Sequence, residues 1–275
     1  MSKTALFSIM SVTLFVSTVL ASAGEEVASA GREILEKYQD AVVTVKLVIK
    51  EGMSFGGYGS HQYEEKSEAI GTVIDASGLT VLSLSSTDPT DFYSQIFSDE
   101  DGTGSLEMTS ELSDVRIILP DGSELEARIV LRDRDLDMAF VRPLLPPEKP
   151  LTAVDLSDAS EPKTLDEVLV LTRMGRLGDR TPRAMLTRVE AVVTKPRTFY
   201  VLGDNSSALG APAFTLDGKL AGIVFYRRLE RGGGLTVSSL LSGSESFGML
   251  STVLPCSEIV EVAEQAPHLE EEKSK

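Results

Sequence analysis

Side chains able to do acid–base or nucleophilic chemistry are scarce in this chain. Its 275 residues include 2 histidines, His61 in an early polar stretch and His268 in a charged tail. Histidine is the side chain whose ordinary pKa suits general-base work near neutrality. A serine nucleophile would therefore have to draw on one of these two, or on a lysine. Ser206 and Ser207 stand together, but neither Lys195 nor Lys219 lies at a spacing that suggests a serine–lysine pair, and turn serines are the simpler reading. Cys256 is the single cysteine. That excludes an internal disulfide and a cysteine zinc cluster. It does not sit in a lipobox either. Asp99, Asp101, Thr103, Ser105 and Glu107 place oxygen atoms at alternate positions around Gly104, as a calcium loop of EF-hand type does. The bidentate glutamate such a loop needs is absent: Ser110 holds its position and Glu111 comes one residue late. Flanking helices are not evident. A solvated acidic loop is the simpler reading, and calcium is the one cofactor the sequence suggests.

The first residues read as an export signal. Lys3 precedes the largely apolar run Ala5–Leu20, and Ala21-Ser22-Ala23 forms a small-residue cleavage motif ending at residue 23. The run is short for a membrane span and no stop-transfer pattern follows it; an uncleaved anchor is the alternative. The expected location is periplasmic or extracellular, with no membrane attachment after cleavage. A net charge of -16 repels phosphate backbones and anionic lipids, so nucleic acid is not an expected partner. The same charge favours basic partners or cations.

The elements that would position a site follow from the hydrophobic pattern. Ala28–Gln39 has helical spacing at Ile34, Leu35 and Tyr38. Ala41–Lys50 is a β-branched strand run, and residues 51–68, rich in Gly, Ser, Tyr and Glu, read as a loop or irregular hairpin. Further strands are expected at Ile70–Ile74, Leu79–Leu84, Val115–Leu119, Glu124–Leu131 and Met138–Val141. Residues 88–113 form an acidic insertion between them. Pro143–Pro150 reads as a linker. Strands then recur at Val168–Thr172, Ala184–Val193, Thr198–Leu202, Ala213–Thr215, Leu220–Tyr226 and Phe247–Val253. Leu216–Lys219 makes a tight turn. Ser257–Gln265 reads as a closing helix with Ser257 as its N-cap, and residues 267–275 as a frayed charged tail. Many short strands on either side of a proline-rich linker argue for a pair of barrels.

Three segments carry a resemblance. Gly71–Thr80 resembles the strand–turn–strand before the catalytic histidine of HtrA-type trypsin-like proteases. Val115–Val130 with Asp133–Phe140 resembles their hairpin and catalytic-aspartate motif. Ala208–Ile223 resembles their nucleophile loop and the hairpin after it, and Phe247–Pro255 is similar to their closing strand. The resemblance covers most of residues 30–266, and nothing like a PDZ module follows it. It implies an all-β fold of two six-stranded chymotrypsin/trypsin-like barrels, with a short N-terminal helix and a C-terminal helix. The implied peptidase domain spans residues 24–266, with its barrels at about 30–145 and 151–266.

Peptide hydrolysis on this scaffold needs a serine, a histidine to take its proton, an aspartate to orient the imidazole, and backbone donors for the oxyanion. By the resemblance, Asp137 holds the aspartate position, Ser85 the histidine position and Leu209 the nucleophile position. Gly210-Ala211-Pro212 keeps the register of the family's Gly-Gly-Pro, while Ser207 replaces a glycine of the oxyanion loop. A serine hydroxyl is no base near neutral pH, and leucine has nothing to attack with. The expectation is a non-catalytic HtrA-like domain that binds peptide or protein or scaffolds an assembly. An active HtrA-type homologue is one conceivable partner, and oligomeric state is left open. The competing readings are a serine endopeptidase with an unorthodox site and an unrelated secreted β protein.

Overall fold

Valine, isoleucine and threonine fit a pleated, half-buried surface, and their runs form strands in the computed structural model. It describes residues 24–55, 58–87, 106–203, 206–228 and 249–267. The first six strands are β1 (Val42–Phe55), β2 (Tyr58–Val73), β3 (Thr80–Ser83), β4 (Leu106–Ile118), β5 (Glu124–Asp133) and β6 (Met138–Pro143). They close a barrel in the order β1-β2-β3-β6-β5-β4. The next six are β7 (Glu167–Arg173), β8 (Pro182–Val193), β9 (Phe199–Leu202), β10 (Pro212–Thr215), β11 (Leu220–Arg228) and β12 (Met249–Leu254). These close a second barrel in the order β10-β11-β12-β9-β8-β7. Helix α1 (residues 24–38) precedes the first barrel and α2 (Cys256–Ala263) follows the second. This is the expected two-barrel, chymotrypsin-like fold.

Period-two alternation fills each barrel. Val43, Val45, Leu47 and Ile49 of β1 enter the first core beside Val73, Leu82, Ile117 and Val141. Val168, Val170, Val189, Val224 and Val253 fill the second. Between the barrels, Val81, Met138 and Phe140 meet Ile223, Phe225 and Leu254, with Ile259 and Val262 of α2 closing the seam. Phe140 and Phe225 are fully buried, each a gain of roughly 1.5–3 kcal/mol over exposure.

Several sequence expectations are corrected. Of the two readings of residues 51–68, the hairpin holds and the loop gives way: β1 and β2 stay paired in unbroken register from Val42↔Thr72 to Ser54↔Ser60. Beyond the barrel both faces of such a hairpin can meet solvent, so its backbone pairing leaves no hydrophobic alternation to read. The end of the acidic insertion joins it as the first half of β4, with Met108 opposite Met53 and Leu112 opposite Ile49. Ser257 does not cap α2, which starts one residue earlier behind Pro255 and has no side-chain cap. Pro255 holds the N-cap position with ψ 154, an extended value, so the helix begins at the next residue. Pro143 is the last residue of β6 rather than linker, and the crossover after it stays tied to the first barrel, Leu151 N–H donating to the Ala76 carbonyl at 3.0 Å and Val154 N–H to that of Val73 at 3.0 Å. The leader and the tail from His268 onward fall outside the described residues.

Helix α1 packs on the second barrel although it leads into the first. Ile34 and Tyr38 are buried against Leu169, Leu171, Phe214 and Leu220, and the Tyr38 ring stacks on Phe214 at 4.6 Å. Arg173, at the end of β7, fixes the same crossing from beneath. Its guanidinium donates to the carbonyls of Val42, of Gln39 at 2.7 Å and of Arg180 at 3.1 Å. Its side chain is 7% exposed, and burial lowers its pKa. Arg173→Ala leaves these carbonyls without their donor. A loss of about 2 kcal/mol in stability is expected from chemical denaturation, and a lysine at this position restores little because it lacks the planar fork.

Candidate functional site

The site lies where the first barrel's β5–β6 turn faces the second barrel. Asp133 opens that turn by accepting the Leu136 N–H at 2.9 Å. Asp137 closes it at φ 57, a left-handed conformation that aspartate tolerates better than most residues. Strand β3 pairs with β6 so that Ser83 stands opposite Met138, next to Asp137. A 3-10 turn over Leu84–Ser86 follows, started by Leu84 N–H donating to the Asp137 carbonyl at 2.8 Å. This turn brings Ser85 over the carboxylate.

Four donors converge on Asp137. Ser85 N–H reaches Oδ1 at 2.8 Å. Ser83 Oγ donates to Oδ2 at 2.5 Å, and Tyr226 N–H of β11 reaches the same oxygen at 3.1 Å. Ser85 Oγ lies 3.4 Å from Oδ2 and 2.7 Å from Ser83 Oγ. Burial raises the pKa of Asp137 above the ordinary carboxylate value, and the hydrogen bonds from Ser83, Ser85 and Tyr226 oppose that rise. The carboxylate thus orients hydroxyls and amides where the family chemistry needs an imidazole.

Ser85 and Asp137 are therefore brought together, and Leu209 is not a partner of either. Leu209 follows a 3-10 turn over Ser206–Ala208 and packs, half-buried, with Ile70, Met185 and Val192 against the second core. The amides around it are already engaged: Gly210 N–H donates to Val224 at 2.7 Å and Ala211 N–H to Ala208 at 2.9 Å. Both tie the turn to the second barrel. Ser207 is exposed. His61 sits on β2 opposite Met53. It is about ten residues along the strand from Gly71, whose partner is Leu82, a separation of roughly 30 Å. His268 lies outside the described residues.

Of the calcium candidates, Glu107 is in β4 opposite Ser54. Asp99, Asp101, Thr103 and Ser105 lie outside the described residues. No group of three or more His, Cys, Asp or Glu side chains placed to hold a metal occurs among the described residues. Cys256 is buried, its thiol pushed up to about 12 by desolvation, so it stays a protonated core residue. Two members of the cluster were missed in the sequence. Ser83 was legible in principle, since β3 pairing with β6 must place it beside Asp137. The Tyr226 amide has no side-chain signature.

The family described as trypsin-like peptidase domain matches residues 71–223, a span that opens on the end of β2 and closes within β11. That span exceeds half the chain and takes in Ser85, Asp137 and Leu209. The chain belongs to this family. Comparison with curated proteins returns no significant match.

Proposed function

We propose that this protein is an exported, HtrA-like member of the trypsin-like family that does not cut peptide bonds and acts by binding peptide or protein. The observation that carries this reading is the solvation of Asp137 by Ser83, Ser85 and the Tyr226 amide. Without an imidazole, no group at the site has the basicity to activate a hydroxyl at neutral pH. Leu209, packed into the second core, removes the nucleophile as well. Both barrels and the seam between them persist, so the scaffold keeps its surfaces for docking while lacking the chemistry.

The hydroxyl chain from Ser85 through Ser83 to Asp137 favours one rival, an unorthodox serine hydrolase using Ser85. A serine-directed fluorophosphonate and unfolded casein separate the two. The purified protein is expected to show no adduct by mass spectrometry and to leave casein intact over a day. A stoichiometric adduct that disappears in Ser85→Ala would establish the rival.

A further inference from the structure

Among the described residues seven large apolar side chains are exposed, and four of them belong to one hairpin. Leu165 stands at the root of β7, Met174 and Leu177 in the loop to β8, and Leu186 on β8 itself. Single exposed leucines are ordinary, but their concentration on one element marks an interaction surface. Two of the four are held in place by their backbone. Leu165 has φ 78, a left-handed strain of about 1–2 kcal/mol, and its N–H donates to the Val189 carbonyl at 2.7 Å. Leu177, fully exposed, stands on a loop pinned from within: Met174 N–H donates to the Thr181 carbonyl at 2.9 Å and Gly178 N–H to that of Gly175 at 2.9 Å.

Helix α1 explains where the uncovered surface lies. Its Ile34 and Tyr38 cover Leu169 and Leu171 of β7, while the partners of those two on β8, Leu186 and Ala184, are exposed. Cross-strand partners share a face of the sheet, so β8 forms an open step beside the helix. The step follows the seven residues of β7, a length of roughly 23 Å.

Charge names the occupant. Residues 173–188 hold five arginines against one aspartate, in a chain of net charge -16. Arg176, beside Leu177 at one end of the step, is exposed and makes no ion pair among the described residues. Arg188, at the other end, meets Glu167 at 3.0 Å in an exposed pair, which contributes little and exchanges readily. Apolar side chains ringed by arginine suit a partner that brings carboxylates. An anionic bilayer or a second copy would face the rest of the acidic chain as well. A single segment meets only the charges within a Debye length, about 8 Å at physiological ionic strength.

We propose that the outer face of the β7–β8 hairpin, from Leu165 to Leu177, docks an extended polypeptide segment with an apolar centre and carboxylates at both ends. The centre lies on Leu186 and Leu177, and the carboxylates reach Arg188 and Arg176. The inference rests on the reading of this protein as a polypeptide binder and names the class bound.

The test uses the full mature chain and a fluorescein-labelled nine-residue peptide, leucine alternating with serine at its centre and two glutamates at each end, followed by anisotropy. It is expected to bind at least about tenfold more tightly than its counterpart with lysines at the ends. Leu177→Ser, Leu186→Ser and Arg176→Glu, all exposed changes, are each expected to weaken it at least about fivefold. Leu145→Ser alters an exposed leucine outside the hairpin and is expected to leave binding within about twofold. Absence of binding, indifference to the hairpin variants, or an equal loss in Leu145→Ser would each overturn the docking surface and leave the non-catalytic reading standing. Co-sedimentation with phosphatidylglycerol vesicles that Leu177→Ser abolishes would also overturn it, by making the occupant a bilayer. Recovery of a cleaved peptide would instead overturn the non-catalytic reading and leave the docking surface standing.

Discussion

Gly210→Ala is expected to cost more than about 4 kcal/mol, enough to abolish cooperative unfolding or the soluble fold. Gly210 has φ +82, so any side chain there carries a left-handed strain of about 1–2 kcal/mol. Steric overlap costs more than that strain. A Cβ would stand 2.1 Å from the Ile70 carbonyl oxygen and 3.3 Å from the Leu82 Cα. These are backbone atoms of β2 and β3, so the clash cannot be relieved by turning a side chain. The barrels are also bonded at this point, the Thr72 hydroxyl donating to the Gly210 carbonyl at 2.7 Å in a buried setting. Accommodating one methyl means lifting the nucleophile-loop turn off the first barrel. Gly122 is the control: its φ is +83, and a Cβ there meets nothing within 4 Å. Gly122→Ala is expected to cost only the strain. Denaturation midpoints of the two variants separate packing from φ, and equal midpoints would mean that the barrels do not meet at Gly210.

Much of this arrangement was legible in the sequence, and the gaps have a physical pattern. The barrel strands announced themselves as β-branched apolar runs because much of each is buried on both faces: on β1, Val42 and Thr44 are buried as well as Val43 and Val45. Asp137 was found because Asp133–Phe140 resembles the family's aspartate motif, and Gly210 because Gly210-Ala211-Pro212 keeps the register of the family's Gly-Gly-Pro. The long extension of β1 and β2 was read only as a loop or an irregular hairpin, because it leaves the barrel, and with it the hydrophobic pattern that marks a strand. Ser83 was overlooked since attention fell on the position where a base belongs. Only the pairing of β3 with β6 makes Ser83, not Ser85, the nearest hydroxyl to the carboxylate. Tyr226 contributes an amide, which any residue would supply, so no reading of side chains could have named it. The clash awaiting a Cβ at Gly210 is likewise a tertiary fact.

Asp137→Ala is expected to destabilise the protein by about 3 kcal/mol, since it strips the acceptor from two amides and a buried hydroxyl. Ser85 N–H belongs to the first barrel and Tyr226 N–H to the second, so the carboxylate fastens one barrel to the other as well as closing its own turn. The pH dependence of that loss has a sign that identifies its origin. Burial raises the folded-state pKa of Asp137 above its ordinary value. Between the unfolded and folded pKa values the native state then binds more protons than the unfolded chain. This group's contribution is therefore full below the unfolded pKa and declines as pH rises through the folded one. The alanine variant lacks the titration altogether. Its deficit against the parent is expected to be larger at pH 4 than at pH 7. The other carboxylates cancel in that difference, including Asp121, Asp155 and Asp217, which hydrogen bonds from Ser123, Ser157 and Thr215 hold below the usual range. Those groups make the parent itself less stable in acid, so the comparison must be taken between variants at each pH. Urea denaturation of both proteins at the two pH values measures it. A deficit that shrinks in acid would mean that Asp137 gains more from its donors than it loses by burial, the behaviour of a carboxylate poised to serve a cation. A deficit that grows in acid marks a carboxylate whose part in stability is to gather hydroxyls and amides from both barrels.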